Sequence, residues 1–175
     1  MIGSVNYLYI DIETYSSLDL KTVGVYKYVE SKDFKITLIT YGSNQEDLSC
    51  VRIAEGETVP TELLALLINP KVTKIAHNAV FEMVCLGKYF SIEIDPKQWV
   101  CTAILATAQG LPRSLADLSL ALGLDYKKQL NGVLLVNYFA KPNKKGEMNT
   151  PIENLEKWGE YVQYNMQDVR ALIAL

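Results

Sequence analysis

Apolar positions along the chain fall into short runs, first with a period near two and later with a period near 3.6. Residues 5–12 predict a first strand, in which Leu8, Ile10 and Ile12 alternate with Tyr7, Tyr9 and Asp11. It is apolar on both faces, as a central strand covered by helices should be. A polar connection follows, and then two β-rich runs at 35–41 and 48–53, close enough in sequence for meander connections. Residues 58–68 predict a helix with Pro60 in its first turn and Leu63, Leu64 and Leu67 on one face. A short strand at 72–76 leads into a helix at 79–89, and another at 99–101 precedes a helical run through 109. Ser114-Leu-Ala-Asp117 reads as a capping box for a helix that stops at Gly123. Residues 127–146 carry a weaker pattern, with a helix at 133–140 and then a loop rich in Lys, Gly and Asn. Thr150, Pro151 and Glu153 supply an N-cap, a proline at N1 and an acid at N3, opening a helix that runs to Leu175 without a C-cap signal. Strands first, then strand–helix alternation, predict an α/β sandwich around a mixed sheet.

The 175 residues fit one domain spanning 1–175. The longest apolar stretch, 132–140, is far short of the roughly 20 residues that span a bilayer. The start of the chain has no basic segment ahead of its apolar residues, so it does not read as a signal peptide, and a cytoplasmic, membrane-free protein is the expectation. Cys50, Cys85 and Cys101 have no C-x-x-C spacing and read as free thiols among apolar neighbours, not zinc ligands. A net charge of −3 argues against a protein that coats duplex nucleic acid through a basic face. It permits an enzyme that holds a few nucleotides through bound divalent cations, because the cations supply the positive charge.

Three segments carry candidate chemistry. Asp11 and Glu13, two apart at the end of the first predicted strand, point to the same face, where two carboxylates repel unless a cation joins them. The pair reads equally well as a metal site or as the start of a loop. Asn78-Ala-Val-Phe81-Glu82 follows the fourth strand, where Asn78 suits an N-cap and Glu82 a first-turn acid. In the last helix, the four-residue spacing puts Tyr164 and Asp168 on one face, roughly opposite an apolar stripe of Val162, Met166, Val169 and Ile173. His77 is the one histidine and reads as structural. The lysines at 127–128 and 141–145 read as a solvated face with some reach toward a nucleic-acid backbone.

Together, a strand-end D-x-E, an N-x-x-F-E at a helix start and a Y-x-x-x-D in the terminal helix resemble the DEDD exonuclease superfamily, tyrosine subclass. The histidine subclass would place its base at 163, which is Gln163. Asp11-Ile-Glu-Thr14, Gly24-Val-Tyr-Lys-Tyr28, Ala76-His-Asn-Ala79, Gly110-Leu-Pro112 and residues 164–169 are similar to the N-terminal proofreading region of phage-type family-A DNA polymerases. The resemblance implies a ribonuclease-H-like fold, with a mixed sheet of about five strands flanked by helices. It also implies a DNA polymerase domain as partner, on the same or a separate chain, in a bacterial cell with a phage or prophage as source.

The resemblance assigns roles by position. Asp11, Glu13 and Asp168 hold the metal that activates water, Asp11 bridges to a second metal supported by Glu82, and Tyr164 orients the attacking water. Thr14 and Asn78 contact the terminal nucleotide. The implied activity is 3′–5′ hydrolysis of single-stranded DNA ends with two Mg²⁺ or Mn²⁺ ions about 3.5–4 Å apart. One residue departs from the superfamily pattern: Glu82 stands where an aspartate is expected, which implies reduced activity or a preference for Mn²⁺. Two rivals stay open, a 3′-end RNA trimmer of the ribonuclease D type and a degenerate domain that binds a polymerase or nucleic acid without cutting.

Overall fold

The computed structural model describes residues 6–124 and 131–175; Val5, Lys127 and Lys128 lie outside them. Strands β1 (Tyr7–Tyr15), β2 (Lys35–Gly42), β3 (Ser49–Val51), β4 (Thr73–Ala76) and β5 (Trp99–Cys101) form one sheet in the order β3-β2-β1-β4-β5. The meander β1-β2-β3 is antiparallel, whereas β4 and β5 add in parallel on the other side of β1, so the sheet is mixed as expected. The helices are α1 (Leu20–Tyr28), α2 (Thr61–Ile68), α3 (Val80–Phe90), α4 (Thr102–Ala108), α5 (Leu115–Ala121), α6 (Gly132–Phe139) and α7 (Leu155–Ala174). None among the described residues is long and apolar enough to cross a membrane.

The alternation of β1 divides the molecule. Leu8, Ile10 and Ile12 are buried against Leu63 and Leu67 of α2 and Cys85 and Leu86 of α3. The intervening residues turn to the opposite face, where Leu38 of β2 packs with Leu135 and Phe139 of α6 and Trp158, Tyr161 and Val162 of α7. That second face contains the only part of the central strand that is acidic.

Three sequence expectations need correction. β1 does not end at Ile12 but continues to Tyr15, so Asp11 and Glu13 lie inside a strand and not at its end. The pairing with β2 makes this possible: it continues past an irregularity between Glu13 and Thr14 that skips one residue of β2. The polar connection after β1 contains α1, which is broken at Gly24 by a left-handed φ of 75° and has too little amphipathic pattern to be visible in sequence. The Thr150 capping box is present but closes only a short 3₁₀ turn, Pro151–Glu153. α7 itself is capped by Asn154, whose side chain accepts from the Lys157 N–H at 3.0 Å. The Ser114 cap is as expected, accepting from the Asp117 N–H at 3.2 Å.

Candidate active site

β1 delivers Asp11 and Glu13 to the face covered by α7, α3 brings Glu82 from its first turn, and α7 brings Tyr164 and Asp168. The acids of all three segments act on one another. Burial pushes the Asp11 carboxyl well above its usual range, and the charges of Asp168, Glu82 and Glu13 push it further, while a hydrogen bond from Asn165 opposes them. Glu13 is pushed up to about 8, first by burial and also by Asp168, against a hydrogen bond from Tyr161. Glu82 is likewise raised, by burial and by the neighbouring Cys101 and Glu13.

Four acids whose charges act on one another, with Glu13 and Glu82 buried and Asp11 and Asp168 half-buried, need a compensating cation or protons. The donor set is hard oxygen, which suits Mg²⁺ or Mn²⁺. Glu82 adds a specific sign: its Oε2 is buried and has no hydrogen-bond partner, although the whole residue is only 2 % exposed. Among the described residues no three acid, histidine or cysteine side chains already converge into a closed ligand cluster. What the four acids share is a field, not a ready-made shell.

At Glu13 opens a cavity of about 540 Å³, lined also by Thr14, Tyr28, Phe81, Val133, Val136, Asn137 and Tyr164 and by the charged Asp19, Lys21 and Lys141. Its size and mixture of apolar walls and a few polar groups suit a small ligand such as a nucleotide. Thr14 lines it while its hydroxyl pairs with the Tyr28 hydroxyl at 2.9 Å. Tyr164 lies parallel to Tyr161, with ring centroids 6.5 Å apart and an interplanar angle of 1°. Gly132 at the start of α6 clears the space for that ring. A Cβ there would sit 2.6 Å from Tyr164 Cε2 and 2.9 Å from Cδ2, so no larger residue fits without displacing Tyr164 or α6.

The remaining sequence candidates separate. Asn78 is not the cap of α3, a position held by Ala79; it sits exposed with φ 69°, a left-handed conformation that asparagine tolerates better than most residues. It is not among the residues lining the cavity. His77, read as structural, has one ring nitrogen 2.9 Å from the Thr102 hydroxyl and the other 2.8 Å from the Arg113 carbonyl. Lys141, Lys144 and Lys145 are exposed, and Lys141 lines the cavity. The three cysteines are free thiols, of which Cys85 alone is fully buried. Two residues escaped sequence reasoning. Tyr161 and Asn165, both fully buried on α7, hydrogen-bond Glu13 and Asp11. Their spacing puts 161, 164, 165 and 168 on one helix face, but spacing alone does not reveal that their partners lie on β1 and β2.

The raised carboxyls carry a pH prediction for the protein in chelator. A group whose folded pKa exceeds its unfolded value holds its proton more tightly when folded. Its stabilising contribution is therefore complete below the unfolded value and is lost as pH rises through the folded one. For Glu13 that window runs from the ordinary 4.5 to about 8. Tm in chelator is expected to decline across it, by roughly 2–4 °C for each kcal/mol withdrawn. Mg²⁺ should restore it most at the alkaline end, because metal binds the deprotonated acids. A Tm that is flat or rising over that range in chelator would contradict the shared-field description.

A family model described as 3′–5′ exonuclease matches residues 4–175. Over 168 residues the chain is 41 % identical to a DNA polymerase of Bacillus phage SP02, covering 93 % of this chain and 26 % of that protein. The chain thus spans about a quarter of the length of that relative. Among solved structures it resembles a nuclease in its apo form, with TM-score 0.62, 21 % identity, and 97 % of this chain and 69 % of that one covered. NrnC of Brucella melitensis matches with TM-score 0.59 and 18 % identity, covering 98 % and 72 % of the two chains. RNase D of Escherichia coli, described as an exoribonuclease involved in structured RNA processing, matches with TM-score 0.51 and 19 % identity, covering 97 % and 37 %. At these identities the structural likeness concerns the fold, which is ribonuclease-H-like.

Proposed function

The chain belongs to the 3′–5′ exonuclease family, and on that premise we propose that it removes nucleotides from single-stranded DNA 3′ ends as the proofreading partner of a DNA polymerase domain. The polymerase domain lies on the same or a separate chain, and the work is done in the cytoplasm of a bacterial cell, for a phage or prophage genome. The observation that carries the reading is the shared field of Asp11, Glu13, Glu82 and Asp168 beside a nucleotide-sized cavity.

In this reading Asp11, Glu13 and Asp168 hold one divalent ion, and Asp11 and Glu82 hold a second. Bound there, Mg²⁺ or Mn²⁺ supplies Lewis acidity, lowering the pKa of water and stabilising the leaving 3′ oxygen. The chain's own residues do the rest. Tyr164, set in its seat by Gly132, presents its hydroxyl to orient the attacking water. Phe81, half-buried on the cavity wall, offers aromatic surface to the terminal base, and Thr14 stands on the same wall. Asn78 contacts the terminal nucleotide only from the exposed start of α3, outside the cavity wall. Lys21 and Lys141 supply the few positive charges a short single strand needs, in keeping with a chain of net charge −3.

DNA is favoured over RNA because the 41 % identical relative is a DNA polymerase, whereas the likeness to RNase D extends to fold. The test compares end-labelled single-stranded DNA, duplex DNA and RNA of one sequence, with Mg²⁺, with Mn²⁺ and with chelator. Mononucleotides should appear from the 3′ end, fastest on single-stranded DNA, and disappear with chelator. Duplex ends should be slower by the unpairing cost. Faster digestion of RNA would replace this reading with RNA trimming. Products from the 5′ end or internal cuts would refute both.

A further inference from the structure

α7 presents Tyr161, Tyr164, Asn165 and Asp168 on one face, and the two of these outside the motif each donate to one of the paired carboxylates of β1. Asn165 Nδ2 donates to Asp11 Oδ2 at 2.6 Å, and the Tyr161 hydroxyl donates to Glu13 Oε2 at 2.6 Å. Both donors are fully buried. A buried amide or phenol is costly unless its polar atoms are paired, so packing alone would be better served by leucine and phenylalanine.

Neither donor is loose. The Asn165 carbonyl accepts the hydroxyl of Thr40, and Thr40 is the cross-strand partner of Asp11. One amide thus bridges β1 and β2 and is fixed in orientation, because the reversed amide would set its oxygen against a carboxylate. The Tyr161 ring lies near-parallel to Phe139, with centroids 5.1 Å apart, and packs on Trp158 at 5.7 Å. Each hydrogen bond occupies one oxygen of its carboxylate and leaves the other for a further partner.

We propose that Asn165 and Tyr161 are positioning residues, which clamp Asp11 Oδ2 and Glu13 Oε2 so that the second oxygen of each carboxylate is aimed at a divalent ion. The inference rests on the metal-site reading above. It assigns neither residue a contact with substrate. Groups that orient metal-binding carboxylates in this way typically matter by 10–100-fold in metal affinity or activity.

The test uses the full chain with Tyr161→Phe, Asn165→Leu and Thr40→Val, measuring Mn²⁺ binding by calorimetry, Tm with and without Mn²⁺, and kcat and KM on single-stranded DNA. For Tyr161→Phe and Asn165→Leu the Kd for Mn²⁺ should rise about 10–100-fold and the Mn²⁺-induced rise in Tm should shrink. kcat should fall with KM for the oligonucleotide unchanged. Thr40→Val leaves the amide but frees its orientation, so it should shift Kd in the same direction by less. Tyr161→Phe removes one oxygen and keeps the ring, so it decides the matter even if Asn165→Leu does not fold. Parental Mn²⁺ affinity in Tyr161→Phe and Thr40→Val would overturn the proposal while leaving the metal site intact. Absence of Mn²⁺ binding by the parent protein would overturn the metal-site reading and this proposal with it.

Discussion

Asp11→Asn is expected to lower exonuclease turnover by about a thousandfold or more while leaving the metal-free fold at least as stable as the parent. Asp11 stands at the centre of the field, since Asp168, Glu82 and Glu13 all act on it. In the proposed mechanism it alone serves both ions. Removing a ligand that carries roughly 4 kcal/mol of charge stabilisation in the transition state corresponds to about a thousandfold in rate. Asparagine has nearly the same shape, and its carbonyl oxygen can still accept from Asn165 Nδ2, so the local packing survives. Without metal the substitution removes a carboxyl whose ionised form burial and the neighbouring acids disfavour, so Tm in chelator should not fall. The paired readouts are rate on 3′-labelled single-stranded DNA and Tm in chelator. Turnover within tenfold of the parent would remove Asp11 from the centre of the mechanism, and a large drop in Tm would turn a rate loss into a folding effect.

The parts of this molecule that sequence makes legible are those whose signal is local. The parallel strand β5 at Trp99–Cys101 agrees with expectation to the residue, because its apolar run is bounded by Pro96 and by a helix start. The length of β1 was not legible. Thr14 and Tyr15 stay in the strand through pairing with β2 across an irregularity, and pairing partners are invisible in a single run of residues. α1 was hidden for a different reason, a left-handed Gly24 in its middle and little contrast between its faces. At the site, Asp11, Glu13, Glu82, Tyr164 and Asp168 stood out because each lies in a short pattern of fixed spacing. Asn165 and Tyr161 did not, since the groups that satisfy them come from β1 and β2, 125 or more residues away in the chain. Asn78 reads as a cap in sequence, whereas its left-handed backbone hands that position to Ala79.

Glu82 is where a bland account and a chemical one make opposite forecasts. As a first-turn acid it would face water and contribute about 0.3–1 kcal/mol to α3 through the helix dipole. It is instead buried, its carboxyl is raised by burial and by Glu13, and Oε2 has no hydrogen-bond partner. A buried carboxylate in that state destabilises the metal-free fold and is retained for something else. Glu82→Gln keeps the volume and removes the charge, so Tm in chelator should rise while turnover falls. Glu82→Ala should lower turnover by about a hundredfold, the equivalent of roughly 2.7 kcal/mol. It should also flatten the steep dependence of rate on metal concentration, because the second ion loses its support. Glu82→Asp shortens the arm by one methylene toward the acid expected at this position in the superfamily. It should retain activity and gain most with Mg²⁺, the ion with the stricter octahedral geometry. Rate against Mg²⁺ and Mn²⁺ concentration for the parent and the three variants, well below Tm, separates the accounts. Parental turnover in Glu82→Gln and Glu82→Ala would leave three working carboxylates and a site that needs only one ion. Lost turnover with a raised metal-free Tm in Glu82→Gln would show that this buried acid is kept against the stability of the fold, for its chemistry.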